Sequence, residues 1–280
     1  MRTRFAPSPT GRLHLGHAFS ALTAFDRAMA AGGECLLRIE DIDGSRCRPE
    51  FEAAILDDLR WLGLHWPEPA MRQSERLDSY HAALGDLAAR RLAYPCTCTR
   101  ADIAAATSAP QEGVPGAPVY PGTCRGRTDR PEGAAWRLDT GRAIAALGGA
   151  AAVGDLGWVE TGTGAPVRQR VSPAALLAED GDIVLARRDI GTSYHLAVVL
   201  DDAAQGVTEV VRGMDLAGSV PIHRLLQELL DLPVPDWHHH RLIRDASGRR
   251  LAKRSDAAAL CLLREAGIGP GEIRAMVGLA

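Results

Sequence analysis

The sequence predicts an α/β fold that is built on a parallel sheet and interrupted by an insertion. Near the amino terminus, apolar segments of strand length alternate with segments of helical periodicity. A stretch rich in Cys, Thr, Pro and Gly then lacks any apolar period, and regular patterning returns in the second half. With 280 residues, 46% of them hydrophobic and 24% charged, the chain is long and apolar enough to bury a substantial core.

The first half alternates strand, helix, strand and helix. Residues 2–6 are predicted to form a strand, and residues 16–33 form a helix whose apolar side chains recur at helical spacing. Residues 34–41 are predicted to be a buried strand, after which Pro49 opens a second helix that Gly63 ends. Because helical crossovers join parallel strands, we expect a parallel sheet here.

The second half is less regular until its last third. Residues 134–190 are predicted to be irregular with several short strands, and residues 194–213 are interpreted as two apolar strands around a polar turn. Residues 219–232 form an amphipathic helix, and two short helices are expected at the carboxyl end. The expected units are the first half of the main fold, a cysteine-bearing insertion, the second half with a connecting insertion, and a basic loop with short helices, at 1–93, 94–133, 134–237 and 238–280.

Charge and hydropathy limit the classes of function. The net charge is −3, so the chain is not a polycation, and any nucleic-acid site must be a local patch. No run of about 18 apolar residues could span a membrane. The amino terminus shows no apolar signal region. We therefore expect a cytoplasmic protein with no membrane partner.

The segment PSPTGRLHLGH, which ends at His17, joins the first strand to the first helix. A helix start presents unpaired N–H groups and partial positive charge, which suits phosphate, and Gly16 permits close approach of a ligand. His14 and His17 could donate hydrogen bonds to a triphosphate. A metal site is disfavoured because Leu15 and Gly16, rather than a carboxylate, separate the two histidines. Histidines that only cap the helix remain the alternative.

Three of the six cysteines, Cys96, Cys98 and Cys124, lie close together in the sequence. In a reducing compartment such a cluster indicates a metal more than a disulfide. Three thiolates and one further ligand would form a closed tetrahedral site for structural Zn²⁺. Such a crosslink would stabilise a loop-rich insertion that has little core of its own. Unliganded thiols are the alternative.

Lys253 is the only lysine among 32 basic residues. A compact ammonium on a flexible stem can act where the rigid arginine fork cannot, so this position is a candidate functional residue. It lies in a basic segment that ends at Arg254. A solvated basic loop is the alternative interpretation.

Together these motifs resemble the class I aminoacyl-tRNA synthetases. RFAPSPTGRLHLGH is similar to the first signature of the glutamyl and glutaminyl branch, and GRRLAKRSD is similar to the lysine signature of glutamyl enzymes. Arg250 and Ala252 depart from the lysine and serine that are usual in that second signature. The resemblance extends from Arg2 to about Ala257 and implies the Rossmann-like nucleotide-binding fold of class I synthetases with a zinc-binding insertion.

The resemblance also implies a set of site residues. ATP, with Mg²⁺, would be bound and its pyrophosphate stabilised by His14, Gly16, His17 and Lys253. L-Glutamate would be held by Arg4, Ala6, Ser8, Glu40, Tyr194 and Arg212. Arg4 is our choice for the side-chain carboxylate, and Glu40 takes the α-ammonium. Tyr120 would complete the zinc site.

Because little of the chain follows Lys253, it most resembles the truncated branch, the glutamyl-queuosine tRNA(Asp) synthetases. The implied activity is formation of glutamyl-adenylate and transfer of glutamate to the queuosine base at the wobble position, in the anticodon loop of tRNA(Asp). We expect a monomer without an anticodon-binding domain. Two alternatives stay open: a minimal glutamyl-tRNA synthetase that charges a tRNA 3′ end, and a non-catalytic, zinc-containing RNA-binding protein.

Overall fold

The computed structural model describes residues 1–107, 119–243 and 259–279, with side chains throughout except at 104–107. The strands are β1 (Arg2–Phe5), β2 (Glu34–Ile39), β3 (Met71–Arg72), β4 (Ala93–Cys96), β5 (Ala135–Leu138), β6 (Gly157–Glu160), β7 (Val167–Arg170), β8 (Val184–Ala186), β9 (Glu209–Gly213) and β10 (Asp236–His240). The helices are α1 (Leu15–Ala30), α2 (Pro49–Trp61), α3 (Leu77–Ala89), α4 (Arg100–Thr107), α5 (Thr140–Ala146), α6 (Ala150–Asp155), α7 (Pro173–Ala175), α8 (Tyr194–Ala204), α9 (Val220–Leu229), α10 (Leu260–Glu265) and α11 (Pro270–Met276). Three single turns of 3-10 or π type lie at Gln73–Arg76, Leu176–Asp180 and Met214–Ser219.

The strands form two sheets with parallel pairing and one antiparallel sheet. The first has the order β1-β2-β3, and the second has the order β7-β6-β10-β9, in which only β7 is antiparallel to its neighbour. The amide of Thr208, just before β9, donates to the Arg2 carbonyl of β1 (2.9 Å), so these two sheets adjoin. The antiparallel sheet β4-β5-β8 carries the cysteine-bearing segment. The predicted α/β fold with a parallel sheet is confirmed.

Two segments differ from the sequence prediction. Residues 134–190, which were expected to be irregular with short strands, also contain the helices α5, α6 and α7. The other segment is 194–213. The first part of residues 194–213 is the helix α8, whereas only the second part is a strand, β9. Ser193 caps α8 by accepting a hydrogen bond from the Leu196 amide (3.4 Å). The helix is buried along most of its surface, so it lacks a polar stripe. A short, uniformly apolar run cannot be assigned to strand or helix by periodicity alone, and this is why the prediction was wrong.

Two apolar clusters hold the layers together. One lies among α3, α8, α9 and the antiparallel sheet, and the other lies between α1, α2, β2 and the carboxyl-terminal helices. The two short helices expected at the carboxyl end are α10 and α11, and Ile273 and Val277 are fully buried against the second cluster. In the described ranges, no helix is both long and apolar enough to cross a membrane.

Candidate active site

A cavity of about 510 Å³ opens where β1, β2 and β9 end. Ligands of open α/β sheets bind at the carboxyl ends of parallel strands, so this is the expected place for a nucleotide or substrate. The predicted residues that line it are Arg4, Ala6, Ser8, His14, Gly16, His17, Glu40, Tyr194 and Arg212. Residues far apart in the sequence are therefore brought to one site.

At one end of the cavity, two histidines form the start of α1. The Nδ1 of His14 accepts from the Gly16 amide (3.1 Å), and the Nδ1 of His17 accepts from the His14 amide (3.1 Å). Because each Nδ1 is an acceptor, the proton of each neutral ring lies on Nε2. The two rings are 3.8 Å apart between centroids. These capping hydrogen bonds use Nδ1 of each ring and leave Nε2–H as a donor. Capping of the helix and binding of a phosphate are therefore compatible.

Lys253 lies outside the described residues. Of the described residues that flank its segment, one lines the cavity and the other contacts His14. Ile243 lines the cavity, and Ala259 forms an antiparallel bridge with His14.

The lining residues Arg4 and Glu40 belong to a network of buried charges, which we call the other end of the cavity. Asp202 of α8 accepts from Arg4 Nε (2.9 Å) and from Arg38 Nη1 (2.6 Å), and Arg38 Nη2 also donates to Glu40 (3.2 Å). Burial alone would raise the pKa of Asp202, but the two guanidinium groups hold it below its ordinary value. Arg4 is therefore already ion-paired within the protein.

The neighbouring carboxylate, Asp201, anchors α8 to the segment around β3. It accepts hydrogen bonds from Gln73 (2.8 Å), Arg76 (2.6 Å) and the Tyr80 hydroxyl (2.8 Å). Asp201 itself is fully buried. The pair of adjacent acids thus fixes α8 behind the cavity, and neither acid was predicted from the sequence.

Arg212 is the third buried cation of this end, after Arg4 and Arg38. Its Nη1 donates to the Tyr194 hydroxyl (3.0 Å), its Nη2 to the Leu216 carbonyl (3.0 Å), and its Nε to His239 Nε2 (3.1 Å). Burial lowers its pKa. Across the described ranges no carboxylate lies within ion-pairing distance of Arg212, although the side chain is only 5% exposed. A buried cation without a counter-ion is a suitable receptor for a ligand carboxylate.

A second cavity of about 290 Å³ adjoins the first. The two share Ser8, Glu40 and Tyr194 as lining residues. Its remaining lining includes Asp43 and Arg187, which form an ion pair (3.5 Å). A second substrate could therefore approach the first one from a separate opening.

The cysteine cluster forms as the spacing suggested. The sulfur atoms of Cys96, Cys98 and Cys124 all lie within 4.8 Å of one another. The Tyr120 hydroxyl is 3.4 Å from the sulfur of Cys96 and 3.5 Å from that of Cys98, and it accepts from the Cys124 amide (2.8 Å). Tetrahedral Zn–S bonds of 2.3 Å place sulfur atoms about 3.8 Å apart. The Cys98 and Cys124 sulfurs are 3.5 Å apart, so the donor set fits such an ion.

Protonation of the cluster is set by its internal hydrogen bonds. Burial alone would raise the pKa of the Cys124 thiol, but hydrogen bonds from the Thr97 backbone and the Tyr120 hydroxyl lower it to about 6. Burial and the hydrogen bonds to the three cysteines raise the pKa of Tyr120. Without a metal, Tyr120 thus remains a phenol, and a metal would have to displace its proton.

Comparisons with known proteins agree on one family. The family model for the catalytic domain of class I tRNA synthetases (E and Q) matches residues 1–132 and 165–277. A Glutamyl-Q tRNA(Asp) synthetase of Rhodobacter capsulatus is 54% identical over the whole of both chains. A protein of the same name from Symbiobacterium thermophilum is 43% identical and covers 95% of this chain and 82% of its own.

A solved structure gives the same result at the level of fold. The glutamate tRNA ligase of Elizabethkingia meningosepticum, crystallised with its amino acid, superposes with a TM-score of 0.70 at 28% identity over 92% of this chain. This chain spans 52% of that protein's length. Both the full-length relatives and the fold therefore lead to one assignment. The chain belongs to the E and Q catalytic-domain family of class I tRNA synthetases.

Proposed function

We propose that this chain activates L-glutamate with ATP and transfers it to the queuosine base at the wobble position of tRNA(Asp). The observation that carries the proposal is the cavity with two unlike ends. One end presents two imidazole donors at a helix start, and the other presents a buried cation, Arg212, that has no counter-ion among the described residues. The 54% identity to a Glutamyl-Q tRNA(Asp) synthetase over the full chain supports the choice of acceptor.

Glutamate would be recognised at the end that contains Arg212. We assign its side-chain carboxylate to Arg212 rather than to Arg4, because Asp202 already neutralises Arg4. Arg4 would then line the wall of the pocket as one half of an ion pair with Asp202. The α-ammonium would pair with Glu40, whose pKa is raised by burial despite the nearby Arg38. A bound ammonium would stabilise the ionised form of that carboxylate.

Activation would take place between the two ends. An oxygen of the glutamate α-carboxylate attacks the α-phosphorus of ATP, the bond to the bridging oxygen breaks, and pyrophosphate leaves. The Nε2–H groups of His14 and His17 and the start of α1 would stabilise the charge that develops on the phosphate oxygens. Lys253 would pair with the pyrophosphate, and Mg²⁺ bound with ATP would offset its charge.

Transfer requires an acceptor hydroxyl at the activated carbonyl carbon. The hydroxyl oxygen forms the new ester bond, AMP leaves, and the hydroxyl proton is released. The second cavity adjoins the glutamate pocket at Ser8, Glu40 and Tyr194, so we propose that the acceptor nucleoside enters there. The part of the first cavity beside His14 and His17 would then hold the adenylate.

We also propose that Cys96, Cys98, Tyr120 and Cys124 bind one zinc ion. When bound, the ion would supply a crosslink between the start of the insertion and the segment that returns from it. The cluster does not line the cavity, so its role would be structural.

The test is glutamate-dependent ATP–pyrophosphate exchange without RNA, followed by transfer of labelled glutamate to tRNA(Asp) with and without queuosine. We expect exchange with L-glutamate but not with L-glutamine, because Arg212 requires a carboxylate. We expect label only on the queuosine-containing tRNA. Labelling of tRNA(Glu) at its 3′ end would instead identify a minimal glutamyl-tRNA synthetase. Absence of exchange would indicate the non-catalytic RNA-binding alternative.

A further inference from the structure

We propose that His239, held by Glu160, is a positioning residue that orients Arg212 for the substrate carboxylate. The inference rests on the proposed function, since it assumes that Arg212 binds glutamate. It concerns three adjacent strands: Glu160 ends β6, His239 lies in β10, and Arg212 is the register partner of His239 in β9.

The hydrogen bonds of this chain of residues fix the tautomer of His239. Arginine Nε can only donate, so His239 Nε2, which is 3.1 Å away, must be the acceptor. The proton of the neutral ring is then on Nδ1, which lies 2.5 Å from Glu160 Oε2. Glu160 therefore determines which ring nitrogen of His239 carries the proton. As a result, the nitrogen that faces Arg212 is a hydrogen-bond acceptor.

Glu160 is itself held firmly. Its Oε1 accepts from the amides of Gly162 (2.8 Å) and His239 (3.0 Å), and its side chain is 9% exposed. A Cβ atom at Gly162 would lie 2.2 Å from the His239 carbonyl oxygen, so a glycine is required where the two backbones meet. Both Glu160 and Gly162 lie outside the two segments that the family model matches, so family membership assigns them no role.

The arrangement orients Arg212 without neutralising it. Its three hydrogen-bond partners among the described residues are an imidazole, a phenol and a backbone carbonyl, all uncharged acceptors. Burial lowers the pKa of His239 although Glu160 opposes this, so the ring stays neutral near pH 7. A carboxylate placed directly on Arg212 would compete with the substrate. A carboxylate that acts through a neutral histidine holds the guanidinium and leaves its charge to the ligand.

Two amide variants separate the two hydrogen bonds of His239. In His239→Gln the amide oxygen can take the place of Nε2 and accept from Arg212, but the donor to Glu160 is lost. In His239→Asn the amide nitrogen can take the place of Nδ1, but the Nε–H of Arg212 loses its acceptor. We expect the KM for glutamate to rise roughly 10- to 100-fold in His239→Asn and less than about 10-fold in His239→Gln. The KM for ATP should change less than about twofold in both.

His238→Gln is the matched control, since this neighbour in β10 contacts Thr161 (3.0 Å) and does not line the cavity. We expect wild-type KM values for it. Equal rises in the KM for glutamate and for ATP in both His239 variants, with a loss of thermal stability, would mean that His239 only supports the fold and would overturn the proposal.

A second measurement does not depend on activity. ¹⁵N NMR of the substrate-free wild-type protein should show the proton of the His239 ring on Nδ1. In Glu160→Gln the amide can donate to Nδ1 of His239, which would shift the ring proton to Nε2. Two donors, Nε2–H of His239 and Nε–H of Arg212, would then face each other. An Nε2–H tautomer in the wild type would refute the positioning role. The tautomer could be as expected while ATP–pyrophosphate exchange by the wild type does not depend on glutamate. In that case the proposed function is wrong, whereas the positioning role of His239 stands.

Discussion

At the end of the cavity that we propose for the ATP phosphates, which we call the phosphate end, His14 and His17 cap the helix that carries them. The contacts that fix their Nδ1 atoms lie within three residues of chain. At the end that we propose for glutamate, the glutamate end, Arg212 depends on His239 and Tyr194, 27 and 18 residues away. Arg4 there depends on Asp202, 198 residues away. The first end is a local motif, whereas the second is a property of the assembled fold. We therefore expect a substitution at the phosphate end to disturb only nearby contacts, and a substitution at the glutamate end to disturb distant parts of the fold.

The largest expected effect is on stability, at the glutamate end. Asp202→Asn removes the charge that Arg4 and Arg38 share in a fully buried site. Because an unpaired buried cation is costly, we expect the free energy of unfolding to fall by about 3–5 kcal/mol, measured by urea denaturation. The exposed pair of Asp155 and Arg170 (2.8 Å) provides the control, and Asp155→Asn should cost less than about 1 kcal/mol. An equal loss of unfolding free energy in the two variants would show that the buried ion pairs contribute no more to stability than an exposed pair.

The next effect is on catalysis, at the phosphate end. His17→Asn keeps an acceptor for the His14 amide but removes the Nε2–H donor. Since donors aimed at developing charge contribute on the order of 3 kcal/mol, we expect kcat for ATP–pyrophosphate exchange to fall roughly 100- to 1000-fold. The KM for glutamate and the free energy of unfolding should change little. A change confined to the KM for glutamate would contradict the separation of the two ends.

A smaller effect, on pH dependence, belongs to the glutamate end. His195 Nδ1 lies 3.2 Å from His223 Nε2, and burial, together with the charge of Arg212, lowers the pKa of His195 to about 4. The unfolded chain, with a histidine pKa near 6.5, binds more protons than the folded chain between these values. Stability should therefore fall as the pH drops from about 6.5 to about 4, by roughly 2–3 kcal/mol from this residue, and level off below.

His195→Gln tests this assignment, because the variant cannot titrate there. The slope of the unfolding free energy against pH should be shallower in the variant between pH 6.5 and 4, and parallel to wild type above pH 7. Parallel curves over the whole range would mean that His195 does not carry the pH dependence.

The same contrast explains what the sequence could and could not predict. The HLGH loop and the cysteine cluster were visible because a few neighbouring residues carry their chemistry. Glu40 and Arg212 came from the resemblance, and the cavity does bring them together. Asp201, Asp202 and Glu160 were missed because their partners lie 79 to 198 residues away. Two adjacent acids after the apolar run LAVVL were a usable signal, since buried carboxylates require cations.

The smallest effect on exchange is expected from the cysteine cluster, which lies outside both ends of the cavity. Removing a bound metal with a chelator should lower thermal stability but change the rate of ATP–pyrophosphate exchange by less than about twofold, because distant sites act independently. Tyr120→Phe tests the fourth ligand, since it removes the hydroxyl that lies 3.4 Å from the Cys96 sulfur. We expect weaker zinc binding and fewer protons released on binding, measured by calorimetry in buffers of different ionisation enthalpy. Unchanged affinity and proton release would mean that Tyr120 only donates a hydrogen bond to the thiolates, and that another group completes the metal site.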